Sequence, residues 1–201
     1  MFCKSPFPPR IALLTVILVS ISLFTITYTS ERSSFAQSGT QSLDQTYANT
    51  QCGISMNYPS SWIIVEFNEK SLDMTSLANF KPSGTGITLQ LEATDISAYA
   101  EPDKSVEGLA NVEKGNILLN PEASIEQSNI TEVSGIPAYR IVYNNPITPT
   151  DTWKILYMII ASNNTQYTLR FTATSQDEYG SYIPVVDNMI KSIKIDGSKK
   201  C

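Results

Sequence analysis

The residues of this chain that could do chemistry are carboxylates, tyrosines, lysines and cysteines, because it contains no histidine. Imidazole is the general base of Ser-His and Cys-His catalysis and a common zinc ligand, so the composition excludes these chemistries. Acid–base work near neutral pH would need a strongly shifted carboxylate, lysine or tyrosine instead. The sequence carries no nucleophile motif. We therefore predict that the chain is not an enzyme, with a carboxylate-based hydrolase as the alternative.

Acidic residues gather after the clearest predicted strand, at Asp95, Glu101, Asp103 and Glu107. Several oxygen ligands from one loop could hold Ca²⁺. The spacing matches no EF-hand, however, and Pro102 interrupts it. Acids in the first turn of a helix are also stabilised by the helix dipole, which favours a solvated loop. Asp95, Glu101 and Asp103 are kept as calcium candidates, and the sequence predicts no other metal or cofactor.

Two cysteines, Cys52 and Cys201, lie outside the leader that is described below. An even number of cysteines in an oxidising compartment makes a disulfide between them a candidate, and two independent thiols are the alternative. The sequence also contains two glycosylation sequons, which begin at Asn129 and Asn163. The second falls on a predicted hairpin tip, where a glycan would be accessible.

Aromatic residues recur in the second half of the chain, at Tyr139, Tyr143, Trp153, Tyr157 and Tyr167. They could form a patch on one sheet face that binds a partner or a ligand. The alternative, which is more common for cross-strand aromatics, is that they belong to the core. The formal net charge of −5 argues against nucleic-acid binding, because acidic proteins are repelled by phosphate backbones.

The N-terminus has the features of an export signal. Lys4 and Arg10 precede an uncharged, largely apolar run over 11–28, and Ser34 and Ala36 have the spacing that signal peptidase recognises. Residues 1–36 are therefore interpreted as a signal peptide cleaved after Ala36, or alternatively as an uncleaved membrane anchor. Both interpretations place the folded body outside the cytoplasm, secreted or anchored. The polar residues 37–46 are expected to form a linker.

Most of the remaining sequence alternates with a period of two residues, which is typical of β-strands. In the clearest strand, over 87–94, the odd-numbered positions are predicted to face the core and the even-numbered ones water. The other predicted strands cover 54–58, 62–67, 78–80, 124–133, 138–143, 153–160 and 167–174. Helical spacing predicts one helix over 104–119 and a second with Ser181 as its N-cap. Short hairpins imply an antiparallel sheet, whose faces the helices must cover.

Three parts of the sequence, in order, resemble the PsbP-like family. The segment 53–62 (GISMNYPSSW) resembles its opening motif, and 135–140 (GIPAYR) its turn into the central hairpin. The stretches 167–173, 182–184 and 189–195 resemble its last strand and closing helix. The resemblance implies an α+β fold, an α-β-α sandwich with a central antiparallel sheet of the PsbP/Mog type. The best-known members of that family are extrinsic lumenal subunits of photosystem II, and others are exported proteins of unknown role.

We therefore expect residues 47–196 to form one PsbP-like domain, followed by a tail over 197–201. The expected function is a non-catalytic accessory module that binds a membrane-associated or extracellular protein complex. The alternative is an extracytoplasmic protein that binds a small ligand or calcium, through the acidic loop or a pocket beside the aromatics. A photosystem II role is not transferred, because the sequence carries no photosynthetic signature.

Overall fold

The computed structural model describes residues 41–199 and 201. The predicted leader, its cleavage point after Ala36 and the first part of the predicted linker lie outside these residues. The strands are β1 (Gln45–Asn49), β2 (Ile54–Tyr58), β3 (Trp62–Ser71), β4 (Met74–Pro82), β5 (Thr88–Asp95), β6 (Ser124–Val133), β7 (Ile136–Pro146), β8 (Thr152–Ser162), β9 (Thr165–Ala173) and β10 (Lys194–Ile195). The helices are α1 (Val106–Ile117) and α2 (Gln176–Lys191). Within the described residues, neither helix combines the length and the apolar character needed to cross a bilayer.

Seven strands form one antiparallel sheet in the order β3-β4-β5-β9-β8-β7-β6. Two-residue turns join β6 to β7 and β8 to β9, and they use positive φ angles: 52° and 80° at Ser134 and Gly135, 48° and 61° at Asn163 and Asn164. Such turns match the twist of the flanking strands, and Gly and Asn tolerate these angles best. Both predicted hairpins are confirmed.

One face of this sheet packs against α2 and a small sheet of order β1-β2-β10. The alternation predicted for the strand over 87–94 is confirmed, since Leu89, Leu91 and Ala93 of β5 are fully buried on this face. From α2, Val186 and Met189 are equally buried. An ion pair of 2.8 Å between Arg140 of β7 and Asp187 of α2 also joins the helix to the sheet.

The opposite face carries α1. Val106, Leu109, Ala110 and Ile117 pack on apolar side chains of β7 and β8, among them Ile155 and Ile159. Because side chains alternate along a strand, the two helices cover opposite faces. The predicted α+β class, an α-β-α sandwich around a central antiparallel sheet, is confirmed.

The first strand was not predicted. The expected linker 37–46 ends inside β1, because Gln45 and Thr46 pair with β2. Upstream of the strand, the Asp44 carboxylate accepts hydrogen bonds from Ser60 N and Oγ at 2.7 and 2.8 Å. Gln41 Oε1 accepts one from Trp62 Nε1 at 3.2 Å. Residues 41–46 are therefore polar because they lie at an exposed edge, where they hydrogen-bond to Ser60, Trp62 and β2.

The second helix begins earlier than predicted. Its N-cap is Ser175, whose Oγ accepts a hydrogen bond from Glu178 N at 3.2 Å, and Glu178 Oε2 accepts one in return from Thr174 N at 3.1 Å. Ser181 is inside the helix and donates to Asp177 O at 2.8 Å. The predicted N-cap at Ser181 is wrong, because the helix starts at the Ser175 cap and its added first turn buries Tyr179 against the core, with Pro184 kept inside the helix.

Candidate interaction surface

The α1 side of the large sheet is covered on only part of its width. The strands on which α1 packs are β7 and β8. At the far edge, Ile63 and Val65 of β3 point to the same side and are 53% and 50% exposed. Their register partners on β4 are Lys81 and Asn79. The sheet thus presents two adjacent apolar side chains to solvent on its uncovered part.

The geometry of β3 changes along its length. Residues 62–66 pair with 82–78 of β4 without interruption, and the register shifts between Glu66 and Glu69. Beyond this shift the strand continues to Ser71 and turns at Leu72, which has a φ of 54° and is 94% exposed. The predicted strand over 62–67 ends too early, because polar side chains on a protruding hairpin remain solvated while its backbone pairs. The regular part of the edge is therefore short.

A row of hydrogen-bonded polar side chains separates Ile63 and Val65 from α1. Arg170 Nη2 of β9 donates to Gln90 Oε1 of β5 at 2.6 Å, and Gln90 Nε2 donates to Glu92 Oε1 at 3.0 Å. Nearer the edge, Asn79 Oδ1 is buried without a hydrogen-bond partner among the described residues. The uncovered part of the face thus places two exposed apolar side chains beside a group of polar ones.

Burial raises the pKa of three titratable groups on the α1 side of the sheet, Glu113, Tyr143 and Tyr157. Burial raises the pKa of Glu113 on α1, and a hydrogen bond with Asn116 and the charge of Arg170 oppose this in part. Burial also raises the pKa of Tyr157 on β8, with a smaller contribution from the charge of Glu113. Shifts caused mainly by packing are weaker evidence for catalysis than shifts caused by a charged partner in a cleft.

The calcium candidates are not brought together as a site. Asp95 ends β5, and its Oδ1 accepts a hydrogen bond from Ser97 N at 2.8 Å, while Glu101 and Asp103 are exposed in the following loop. Within residues 41–199 and 201, no three His, Cys, Asp or Glu side chains are placed to hold a metal ion.

The aromatic residues do not form one patch. Tyr139 and Tyr143 are buried on the α1 face, whereas Tyr167 is buried on the α2 face among a different set of core residues. Trp153, near the start of β8, is partly exposed. The patch interpretation is therefore wrong for these residues, and the core interpretation fits most of them, because the strand alternation sends Tyr167 to the opposite side.

Cys52 and Cys201 form a disulfide with a Cα–Cα distance of 4.5 Å. Around it, the Tyr167 hydroxyl donates to Cys52 O at 2.7 Å, and Asp196 N donates to Gly53 O at 2.7 Å. Gly53 has a φ of 63°, and a Cβ there would lie 2.8 Å from Asp196 O, so only glycine fits. The predicted tail over 197–201 is thus held to the domain at Cys201.

A depression of about 360 Å³ lies beside this junction. It is lined by β1, β2 and the C-terminal segment, including Lys194, Ile195 and Lys199. The sequon residues lie elsewhere: Asn129 is exposed on β6, and Asn163 is exposed in the turn before β9. Glycosylation at these two positions stays a prediction.

The exposed rim of β3 was missed by sequence reasoning, although a signal was present. The run Ile63-Ile64-Val65 is apolar at every position, which suits a strand buried on both faces. In the structure only Ile64 packs against the core. A consecutive apolar run in a strand that the topology leaves at an edge indicates an interaction surface, but the strand order is needed to recognise it.

Known proteins share the fold of this chain. A family model described as PsbP-like protein matches residues 11–195. The solution structure of cyanobacterial PsbP (CyanoP) from Synechocystis sp. PCC 6803 is similar with a TM-score of 0.59 and 15% identity, over 76% of this chain and 92% of that one. LpqN of Mycobacterium tuberculosis, described as involved in cell envelope biogenesis, has a TM-score of 0.53 and 12% identity, over 71% and 82%. A search of curated protein sequences found no match.

Proposed function

This chain belongs to the PsbP-like family, and from that premise we propose that it is an extracytoplasmic, non-catalytic accessory module that binds a membrane-associated or extracellular protein complex. The proposal does not extend to photosystem II, since an identity of 15% to the cyanobacterial structure concerns the fold alone. It names a binding role for the domain and leaves the partner to experiment.

The observation that carries the proposal is the exposure of Ile63 and Val65 on the edge strand β3. Covering two neighbouring β-branched side chains with a partner stabilises the complex by about 25 cal/mol for each Å² of apolar surface removed from water. Polar groups that could surround such a contact lie on the same face, with Lys81 and Arg170 both exposed. An apolar centre with a polar surround is the usual anatomy of a protein interface.

The location outside the cytoplasm is supported by two features of the chain. Lys4 and Arg10 precede the apolar run over 11–28, as in export signals. The Cys52–Cys201 disulfide suits an oxidising compartment, because cytosolic thiols are kept reduced. Alkylation of free thiols in denaturant, after acid quenching of cells of the native host, tests this, because Cys52 is buried in the folded domain. A cytosolic, fully reduced protein would contradict the location.

The binding role is tested by site-specific photo-crosslinking in membranes of the native host. A photoreactive amino acid replaces Lys81, which is exposed and lies opposite Ile63 in the register. We expect an adduct with a membrane-associated or extracellular protein, and we expect Val65→Lys to reduce its yield at least about tenfold, equivalent to about 1.4 kcal/mol.

The matched control is Ile130→Lys, because Ile130 is 58% exposed on the other edge strand, β6. It should leave the adduct unchanged. Thermal unfolding of both variants must match the original chain, which excludes a folding defect as the cause. No adduct from position 81, or an adduct insensitive to Val65→Lys, would remove the proposed function.

A further inference from the structure

Strand β3 ends the seven-stranded sheet, and its backbone can still form hydrogen bonds. Within the described residues its strand neighbour is β4 alone. In an antiparallel pair, successive residues direct their N–H and C=O groups alternately toward the partner and away from it. Half of the backbone groups of β3 therefore point to the open side. Such an edge is a template for one more strand.

The length of this template is limited by the register of β3. Pairing with β4 is regular over the five residues 62–66 and shifts before Glu69. A register shift twists a strand and interrupts pairing on both of its sides. The segment that could accept another strand therefore lies within 62–66, which includes both exposed apolar residues, although the Trp62 N–H already donates to Pro59 O at 3.0 Å.

The side chains of 62–66 specify the chemistry of an added strand. Ile63 and Val65 are exposed on the α1 face, so an added strand would need apolar residues at alternate positions there. Glu66 is exposed and follows them at the next position, beside which a basic residue would be favourable. In the antiparallel orientation the partner would then read basic, apolar, any residue, apolar, from its N-terminus.

We propose that β3 binds its partner by strand addition: an extended segment of another protein, with the pattern Lys/Arg–apolar–any–apolar, pairs antiparallel with residues 62–66. This inference rests on the proposed function and states the manner in which the partner is recognised. Main-chain hydrogen bonds supply affinity in this mode, and the side chains that contact Ile63, Val65 and Glu66 supply specificity.

The other sheet edge does not offer the same template. On β6, the Glu126 carboxylate is engaged by Lys154 Nζ at 2.6 Å and by Asn144 Nδ2 at 2.7 Å. The register shifts between Ile125 and Gln127, and the exposed stretch is mostly polar. Because β3 also contains a register shift, the difference between the edges lies in their side chains, and polar or charged side chains disfavour strand addition. This contrast selects β3 as the edge that binds.

The test is a selection of random peptides of about eight residues, displayed on phage, against the full chain purified in detergent. The expected peptides carry the basic–apolar–any–apolar pattern. Synthetic copies should bind the original chain and the Ile130→Lys variant equally, and the Val65→Lys variant at least about tenfold more weakly. Peptides that lack the pattern, or that bind regardless of Val65→Lys, would overturn the proposal.

Backbone pairing has its own readout. Strand addition should slow hydrogen exchange at alternate amides within 62–66 of the chain when the peptide is bound. N-methylation of the peptide at alternate positions should abolish binding for one set of positions and spare the other, since only every second N–H faces β3. Binding without amide protection, or binding that tolerates both methylation patterns, would contradict strand addition.

Two further results separate this inference from the proposed function. A crosslinked partner at position 81 without amide protection at 62–66 would retain the binding role and overturn strand addition. Sedimentation of the full chain that showed a dimer sensitive to Val65→Lys would assign the edge to a second copy, and would overturn the assignment to another protein. A monomer that captures the patterned peptides supports the proposal as stated.

Discussion

The two edges of the large sheet differ in how they meet solvent. The β3 edge exposes Ile63 and Val65 side by side. On β6, Ile130 is the exposed large apolar residue, and it lies between Asn129 and Thr131, within a strand whose other exposed residues are mostly polar. Both edges are built from strands of ten residues, so length does not separate them. The comparison shows that side-chain chemistry decides whether an edge is protected or available.

The supports beneath the two edges differ as well. On the β3 side, Tyr47 of β1 and Tyr58 of β2 pack their rings on Phe80 of β4, with centroid distances of 5.7 and 5.3 Å. The disulfide then joins Cys52, just before β2, to the C-terminal segment. The β6 side is tied instead by polar contacts, such as the one between Ser128 Oγ and the Tyr139 hydroxyl at 3.0 Å.

The largest effect is expected from removal of the disulfide. Cys52→Ala with Cys201→Ala should lower the free energy of unfolding by about 3–5 kcal/mol, because the bond closes a long loop and restricts the unfolded chain. Denaturant unfolding measures this, and the original chain treated with a reductant should behave like the double variant.

The same variant tests whether the two edges are supported separately. Hydrogen exchange should accelerate more at β3 and β4 than at β6, because the small sheet beneath β4 is fastened by this bond. Equal acceleration at both edges would show that the disulfide acts on the domain as a whole.

The second effect concerns aggregation on heating. Ile63→Thr with Val65→Thr should slow aggregation near the unfolding midpoint by several-fold, because an exposed apolar edge pairs readily with other chains. Light scattering measures the rate. Ile130→Thr is the matched control and should have little effect, and an equal effect from this control would remove the distinction between the edges.

The third effect concerns Glu126 of β6, which is bonded to Lys154 and Asn144. Hydrogen bonds from Lys154 and then Asn144 hold the pKa of Glu126 below its ordinary value. Its contribution to stability is therefore present above the unfolded pKa of about 4.3 and is lost as pH falls through the lower folded value. Because the Glu126 side chain is 39% exposed, Glu126→Gln should cost only about 1 kcal/mol or less at pH 7. Lys154 Nζ also lies 5.0 Å from the centroid of the Tyr179 ring. Unfolding curves that showed no loss would indicate that this cation–π contact is enough to stabilise the lysine.

The smallest effect is a gain in stability, and it comes from Glu113, on the α1 side of the sheet. Burial raises the pKa of Glu113, so the folded state favours its protonated form. Its ionisation penalty is complete above the raised folded pKa and disappears as pH falls to the unfolded value of about 4.3. Glu113→Gln should stabilise the chain at pH 7 by about 0.5 kcal/mol or less and reduce this pH dependence. Unfolding of the original chain and of the Glu113→Gln variant, measured between pH 4 and 7, tests this. Destabilisation by Glu113→Gln would contradict it.

Strands with one buried face could be predicted from the sequence. Leu89 and Leu91 alternate with polar residues in β5, and Tyr167, Leu169 and Phe171 do so in β9, because each strand buries one face strongly. The strand β1 and the first part of β4 were missed, since they pair their backbones while exposing polar or mixed side chains. Alternation with a period of two predicts strands that bury one face, but it does not predict edge strands that only pair their backbones.

The candidate surface depended on information that the sequence does not contain. Alternation shows that Ile63 and Val65 share a side, but their exposure follows from the place of β3 at the end of the strand order. The separation of Tyr167 from Tyr139 and Tyr143 depends in the same way on register. Helix α2 is a different case, because its start is encoded locally: Ser175 and Glu178 have the spacing of a capping box, and Pro184 is accommodated inside the helix.

The disulfide also determines what a protease can do to this domain. Cys52 and Cys201 are separated by 149 positions in sequence, and almost every surface turn lies between them. A single cleavage at the exposed tip near Leu72, or at any other turn in that interval, leaves two fragments that are still covalently joined. Such a nicked chain would migrate as one species in non-reducing electrophoresis and separate into two only after reduction.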